Sequence, residues 1–462
     1  MTKKSITPMG LDCATGAIRA VYPIRDALLL CHSASGCTFN LRNFLAIHDN
    51  SLMRAPTTGM IENDVIFGGD ELLDTALEKA IDVYDPALIV VHGSVIPFLI
   101  GDDIQGISQI VSQRRGVKII SLNSPNYKGT QMDGYLDVIQ HYINEVMEEP
   151  KEKKSRSVNI LGVFPAEYNW RNDEREVHRL LTALGLEVNC VLTGQETRVA
   201  DIIAAPQAEA NLLFYPELGR PGAQLMQEKF GIPYIDTEFP PLGIESTREW
   251  LFKIAAYFHL EKEAEALFDR EMNRLGESLS RLSMGQFNCL EWLFGKTYSL
   301  ALAPFQIPAM TKFLYEDLSM RPTTLAFREY NQTCFQSLDK VLKRHDLSPE
   351  VQTNGDIHDY IEAVKKDYVY PFGDPWIAFG STIDASHLCT SGIKLPVIRM
   401  AFPVLDEAII TDRPFMGLRG VVTLTELIFN DISTKAFLTD QAFGHIPNPM
   451  TIAEELASAL SP

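Results

Sequence analysis

The pattern that most restricts this chain is the alternation, from end to end, of short apolar runs bounded by turn residues with longer segments of helical period. Such alternation marks βα units, in which helices bury both faces of a parallel sheet. Ala87-Leu88-Ile89-Val90-Val91 reads as a buried strand after a helical stretch from Asp70 to Tyr84. Val117 to Ser121 reads as a second strand, stopped before Pro125. A helix from Gly134 to Glu149 runs into Pro150 and the polar KEKKSRS run at 151–157, which reads as a linker. A second cycle opens at Val158 to Val163. It passes through a helix at Asp173 to Leu184, a C-cap at Gly185, strands at Glu187 to Leu192 and Asn211 to Tyr215, GIPYID at 231–236, and one or two long amphipathic helices over 245–282. A third cycle starts at Thr297 to Leu302, continues through a helix at Pro308 to Leu318 and strands near 323–328, 376–379 and 396–400, and closes on a helix at Gly420 to Ile432. The expected fold class is α/β, three doubly wound (Rossmann-like) domains with parallel sheets, spanning 1–155, 156–285 and 286–462. A length of 462 residues agrees with three domains at roughly 150 residues each.

Charge narrows the partners. With 60 Asp and Glu against 41 Lys and Arg, the formal net charge is -19, so a groove that neutralises nucleic-acid phosphates is not expected. An acidic surface suits solubility and docking to basic patches on other proteins. No apolar run reaches the roughly 18 residues that span a bilayer, and the start, MTKKSITPMGLDCATGAIRA, lacks the apolar core of a secretion signal. The expectation is a cytoplasmic protein that binds neither nucleic acid nor membrane.

Seven cysteines, at 13, 31, 37, 190, 289, 334 and 389, are an odd number dispersed over a large chain, which argues against a disulfide framework. An isolated free cysteine is most often a small buried hydrophobe, and the later four are read that way. The early trio needs another explanation. Cys13-Ala14-Thr15-Gly16-Ala17 and Cys31-His32-Ser33-Ala34-Ser35-Gly36-Cys37 put thiols where glycine and small residues open the backbone. Iron–sulfur clusters need thiolate ligands and N–H donors near their sulfides, which such loops supply. Spacing alone leaves cluster ligation and buried packing both open. Other chemistries lose support. Gly295-Lys296-Thr297 ends like a phosphate-binding loop but has Leu290 where its first glycine belongs, and there is no G-x-G-x-x-G after a strand, no G-x-S-x-G and no H-E-x-x-H. Gly68-Gly69-Asp70 and Gly101-Asp102-Asp103 read as helix starts capped by aspartate. His387-Leu388-Cys389, in a segment read as irregular, is taken as core or surface rather than a metal pair.

An ordered set of motifs resembles the nitrogenase component 1 family: the Cys13 segment, HSASGC at 32–37, TTGMIENDVIFGGDELL at 57–73, VVHGSVIPFLIGDDI at 90–104, NSPNYKGTQMDGY at 123–135, GIPYID, LPVIRMAFPVLD at 395–406 and FMGLRGVVTLTELIFNDI at 415–432. The set covers essentially the whole chain, and MGLRG is more similar to β-type subunits and their assembly-scaffold relatives than to α-type ones. The resemblance implies three doubly wound domains, with clusters held between domains and between subunits. It implies that Cys13 and Cys37 are two of the thiolates with which a β-type subunit holds a P-cluster-like iron–sulfur cluster shared with the α-type subunit, with Gly36 and Ser94 contacting that cofactor. The third cysteine of the family pattern falls at Val95, within His92-Gly93-Ser94-Val95, and valine cannot ligate iron. Cys31 as a substitute thiolate and Ser94 as an oxygen donor are the two replacements this leaves. The Gly-Asp-Asp run beside that loop is kept as structural.

By the same resemblance the chain is the electron-relay half of a nitrogenase-like reductase and has no catalytic residue of its own. Its implied partners are an α-type subunit carrying the active-site cofactor, in an α2β2 assembly, and an ATP-dependent iron–sulfur reductase. Val95 and the short segment before Cys13 depart from nitrogenase itself and point to methylthio-alkane reductase, which cleaves carbon–sulfur bonds reductively to methanethiol and a hydrocarbon. An alternative nitrogenase β subunit that reduces dinitrogen is the second branch. A cofactor-assembly scaffold subunit is the alternative from another class. Its β-like chain also lacks the third cysteine but usually lacks the first, present here as Cys13. A tetrapyrrole reductase of the same superfamily would call for an aspartate ligand or a fused C-terminal domain, and neither is evident.

Overall fold

Residues 12–49, 53–122, 129–283, 293–368 and 374–438 are described by the computed structural model. They form three sheets in which every pairing is parallel. The first has the order β1-β2-β3, from β1 (Ala27–His32), β2 (Leu88–Gly93) and β3 (Lys118–Ser121). The second, β5-β4-β6-β7, uses β4 (Lys154–Leu161), β5 (Glu187–Val191), β6 (Ala208–Leu213) and β7 (Tyr234–Ile235). The third, β10-β9-β8-β11-β12, uses β8 (Thr297–Leu302), β9 (Arg321–Phe327), β10 (Glu350–Gln352), β11 (Ile377–Gly380) and β12 (Val397–Arg399). This is the expected α/β class of Rossmann-like parallel sheets.

The connecting helices are α1 (Cys13–Val21), α2 (Ser35–Asp49), α3 (Glu62–Phe67), α4 (Asp70–Tyr84), α5 (Val95–Ile100), α6 (Ile104–Arg115), α7 (Gln131–His141), α8 (Trp170–Ala183), α9 (Val199–Ala204), α10 (Pro216–Phe230), α11 (Ile244–Phe258) and α12 (Glu261–Ser283). After them come α13 (Ile307–Glu316), α14 (Gln332–Arg344), α15 (Ile357–Asp367), α16 (Thr382–Thr390) and α17 (Gly417–Leu438). Every residue of ALLLCH in β1 and LIVVHG in β2 is buried, because helices cover both faces of the sheet. On one face Leu28, Leu30, Ile89 and Val91 pack with Leu73 and Leu77 of α4 and Val111 of α6. Each such side chain contributes about 1.5–3 kcal/mol of burial free energy. Among the described residues no helix is long and apolar enough to cross a membrane.

The chain divides into two compact units. Of the described residues, the larger takes 12–275 and 402–421, with the first two sheets, and the smaller takes 276–401 and 422–438, with the third. The return of 402–421 to the larger unit is fixed by buried Asp173 of α8, whose Oδ1 accepts the N–H groups of Phe415 (2.5 Å) and Met416 (3.0 Å).

Three expectations are corrected. The KEKKSRS run is not all linker, because residues 154–157 begin β4, whose exposed first residues lead into the buried Val158–Leu161. His387 and Cys389 lie on helix α16, where i,i+2 side chains point apart. The Cys13 and Cys37 segments are not open loops but the first turns of α1 and α2. Gly16 and Gly134 are there to let α1 and α7 cross with backbones touching. A Cβ on Gly16 would lie 1.8 Å from the Gln131 carbonyl oxygen, and one on Gly134 would lie 2.0 Å from that of Cys13.

Candidate functional site

Most residues singled out from the sequence gather at the C-terminal ends of β1 and β2, the edge at which open α/β sheets bind ligands. Cys31 is next to last in β1, opposite His92 of β2. The chain leaves β1 through His32-Ser33-Ala34 and enters α2, with Gly36 and Cys37 in its first turn. β2 leads through Ser94 into α5, so Val95 is the first residue of that helix. Cys13 heads α1, whose N-cap Asp12 accepts the Thr15 N–H and hydroxyl, both at 3.1 Å. Cys13 and Cys37 thus both lie at helix N-termini.

Their environments differ. Cys13 and Cys31 are buried, whereas Cys37 is exposed. Burial pushes the Cys31 thiol up to about 12, against a bond to Thr38, and the charges of Asp12 and Cys37 push it the same way. Cys31 therefore keeps its proton at neutral pH, and Asp12 and Cys37 are close enough to act on it. Gly36 is exposed, and a Cβ there would meet nothing within 4 Å. The Ser94 hydroxyl is buried and has no hydrogen-bond partner among the described residues. No three His, Cys, Asp or Glu side chains among those residues come together to hold a single ion. The donor set fits a different arrangement: two thiols at helix N-termini, one facing solvent, with an unpartnered oxygen at the same sheet edge.

The residues behind this edge hold it in shape. His32 is fully buried, with Nε2 3.0 Å from Asp102 Oδ2 and Nδ1 3.1 Å from Thr58 Oγ1. An ionised carboxylate only accepts, so Nε2 carries the proton and Nδ1 accepts the Thr58 hydroxyl in the neutral ring. Burial lowers the His32 pKa, while the bond to Asp102 opposes that shift. The other Asp102 oxygen accepts the Gly69 N–H at 2.9 Å. Of the aspartates expected as caps, Asp103 does cap α6, accepting the Gly106 N–H at 2.8 Å. Asp70 does not cap α4: its Oδ1 accepts the Asp103 N–H at 2.9 Å. At the far end of α2, Asp49 accepts from Trp170 Nε1 (2.8 Å), from the Tyr22 hydroxyl (2.8 Å) and twice from Arg171 (2.5 and 2.6 Å). Tyr22 caps α1. The helices that begin at the two thiols are therefore tied together at their other ends.

Beside the site lies apolar surface. Phe39 of α2, Val65, Ile66 and Phe67 of α3, Ile61 before it and Leu99 of α5 are exposed, and α3 buries no residue at all. An exposed apolar patch of this kind marks an interaction surface. Of the later cysteines, Cys190 and Cys334 are buried as expected, and Cys389, read as core or surface, is exposed. Cys289 and the NSPNYK part of the 123–135 motif lie outside the described residues. Sequence reading missed His32, Thr58 and Asp49, whose partners come from other segments of the chain.

The sequence matches the family model described as nitrogenase component 1 type oxidoreductase over residues 13–433. It is 30% identical over 285 residues to the nitrogenase iron-molybdenum cofactor biosynthesis protein NifE of Methanosarcina barkeri, covering 58% of this chain and 60% of that protein. It is 25% identical to the nitrogenase molybdenum-iron protein beta chain of Clostridium pasteurianum, covering 93% of each. The chain spans 52 to 60% of the length of the first three NifE relatives it matches. The solved structure of nitrogenase Cp1 at pH 6.5 shares the fold, with a TM-score of 0.82 at 21% identity and 94% of each chain covered.

Proposed function

The chain belongs to the nitrogenase component 1 type oxidoreductase family, and from that premise we propose that it is the β-type, electron-relay subunit of a nitrogenase-like reductase. In this reading Cys13 and Cys37 hold a P-cluster-like iron–sulfur cluster shared with an α-type subunit, with Gly36 and Ser94 contacting it. Such a cluster supplies one-electron redox chemistry. The chain's own residues position and shield: Asp12 pins the head of α1, the Gly16–Gly134 crossing keeps that helix against α7, and Gly36 leaves space for a group to approach the α2 backbone. The apolar face of α3 and its neighbours docks the α-type subunit in an α2β2 assembly, an ATP-dependent iron–sulfur reductase delivers electrons, and the complex works in the cytoplasm. No catalytic residue is assigned to this chain. Its three sheets are taken as three domains bounded near 155 and 285.

The observation that carries the reading is a pair of thiols each in the first turn of a helix, in a chain that matches a nitrogenase beta chain over 93% of its length. Val95, where the family pattern has a thiolate, supports a branch other than nitrogenase itself, and reductive carbon–sulfur cleavage of methylthio-alkanes is the reaction we assign. A second reading, a cofactor-assembly scaffold, draws on the 30% identity to the NifE relative, which extends over only 58% of this chain. Cys13 favours the reductase. The test is to produce the chain with its α-type partner and measure iron and turnover with reductant, ATP and the reductase. Near-stoichiometric cluster iron that is lost in Cys13→Ala and Cys37→Ala, with methanethiol released from methylthio compounds, is the expected result. Iron unchanged in both variants refutes the cluster, and iron without product from methylthio compounds, acetylene or dinitrogen favours the scaffold.

A further inference from the structure

The helix at the third ligand position is short, with Phe98 packed against the core of the first sheet. α5 has six residues, of which only Pro97 is buried, and a helix this short is not stable by itself. One residue, His32, reaches both of its ends. Just before α5, the Ser94 N–H donates to the His32 carbonyl oxygen at 3.0 Å. Just after it, His32 Nε2 reaches Asp102 at 3.0 Å. The third contact of His32, Nδ1 with Thr58 Oγ1, joins a hydroxyl that also accepts the Ser33 N–H at 3.1 Å. The pair is closely wrapped, since a Cβ on Gly69 would lie 2.5 Å from Asp102 Oδ2 and 3.0 Å from His32 Cε1. His32 itself opens the turn that leads to Cys37.

We propose that His32 is a positioning residue, a clamp that brackets α5 at both ends and sets its place against the Cys37 turn. The clamp is a property of the chain alone; its consequence for a cluster rests on the relay reading above. Main-chain binding to Ser94 survives any substitution. At the far end Asp102 also accepts the Gly69 N–H and Asp70 accepts the Asp103 N–H, both at 2.9 Å, so the His32 side chain tightens that end alongside them. Gln keeps an N–H that can reach Asp102, whereas Leu keeps bulk and loses the bond.

The test compares wild type, His32→Leu and His32→Gln by amide hydrogen exchange in the isolated full-length chain and by redox titration of the cluster's EPR signal in the complex with the α-type partner. His32→Leu is expected to speed exchange over residues 94–102 at least tenfold and to shift the midpoint potential, with His32→Gln close to wild type in both. Should His32→Leu not yield folded chain, Thr58→Val removes one of the two side-chain bonds and is expected to loosen the same segment more mildly. Unchanged exchange in His32→Leu or Thr58→Val, or His32→Gln behaving like His32→Leu, overturns the clamp. A wild-type complex without iron refutes the relay reading instead and leaves the exchange result to decide the clamp.

Discussion

Replacing Gly134 by alanine puts a methyl group into the tightest helix crossing at the site. The added Cβ falls 2.0 Å from the Cys13 carbonyl oxygen, and ordinary contact begins near 3.4 Å. The helices must therefore part by about 1.4 Å, or α1 must slide along α7. Overpacking of this sort costs about 1–3 kcal/mol. The obstacle here is backbone, which cannot rotate away, so the upper end applies, less the 0.5–1 kcal/mol or so that alanine gains over glycine inside a helix. The net expectation is a loss of about 2 kcal/mol in urea or thermal unfolding. Gly16→Ala meets the Gln131 carbonyl at 1.8 Å on the other side of the same crossing. One separation relieves both clashes, so the double variant should lose clearly less than the sum of the two, a coupling that neighbouring sites show. Gly276→Ala in α12 is the control, since its Cβ would meet nothing within 4 Å and the change should be neutral or slightly stabilising. Because the struck atom belongs to Cys13, Gly134→Ala should also lower iron retention in the complex while Gly276→Ala does not. A Gly134→Ala chain as stable as the control, or strictly additive losses in the double variant, would refute the picture of a single backbone-to-backbone crossing.

Asp49→Ala strips partners from the buried Trp170 Nε1 and the Tyr22 hydroxyl and unpairs Arg171. Unfolding should show a loss of about 3 kcal/mol. Burial raises the Asp173 carboxyl to about 7, against the N–H groups of Phe415 and Met416 and with help from the charge of Glu176. The native state then binds the extra proton between the unfolded value of about 4 and the folded value, so this group's contribution is largest below about pH 4 and falls by about 1.4 kcal/mol per pH unit up to about 7. Thermal midpoints measured from pH 5 to 8 should decline, and Asp173→Asn should flatten part of that slope. Iodoacetamide on the folded chain, read by peptide mass, should modify exposed Cys37 and Cys389 quickly and spare buried Cys13, Cys31, Cys190 and Cys334; fast labelling of Cys31 would contradict a protonated, enclosed thiol.

Strands buried on both faces were readable because mostly apolar residues fill them. Leu88–Val91 and Thr297–Leu302 announce themselves, as does the helix Asp70–Tyr84 with its apolar residues at helical spacing. The polar start of β4 was not readable, since Lys154, Ser155 and Arg156 are exposed and charged or polar although Lys154 already pairs with Ala208 of β6. Gly16 misled for a related reason: a glycine placed for a partner helix more than a hundred residues later has the same signature as one in a loop. At the site, Cys13 and Cys37 stood out through resemblance, since spacing alone left ligation and packing both open. His32 and Asp102 were both inside quoted motifs, yet their pairing across 70 positions is fixed only by the parallel register of β1 and β2, which no local pattern encodes. The three aspartates expected as caps looked alike in sequence. Tertiary competition separated them: one caps, one holds a histidine and one receives an amide from across the fold.

The capture of Phe415 and Met416 by Asp173 has a consequence for how the chain is made. The larger unit is finished by a segment that follows it only after the whole stretch 276–401 has been synthesised. At roughly 5–20 residues per second, those 126 residues separate the two parts of the unit by about 6–25 s on the ribosome. During that interval Asp173 lacks the two amides that it later accepts. Until then the larger unit lacks one of the two segments of which it is made. A stop at residue 401 would leave it there, and folding helpers or the partner subunit would meet a different molecule from the finished one.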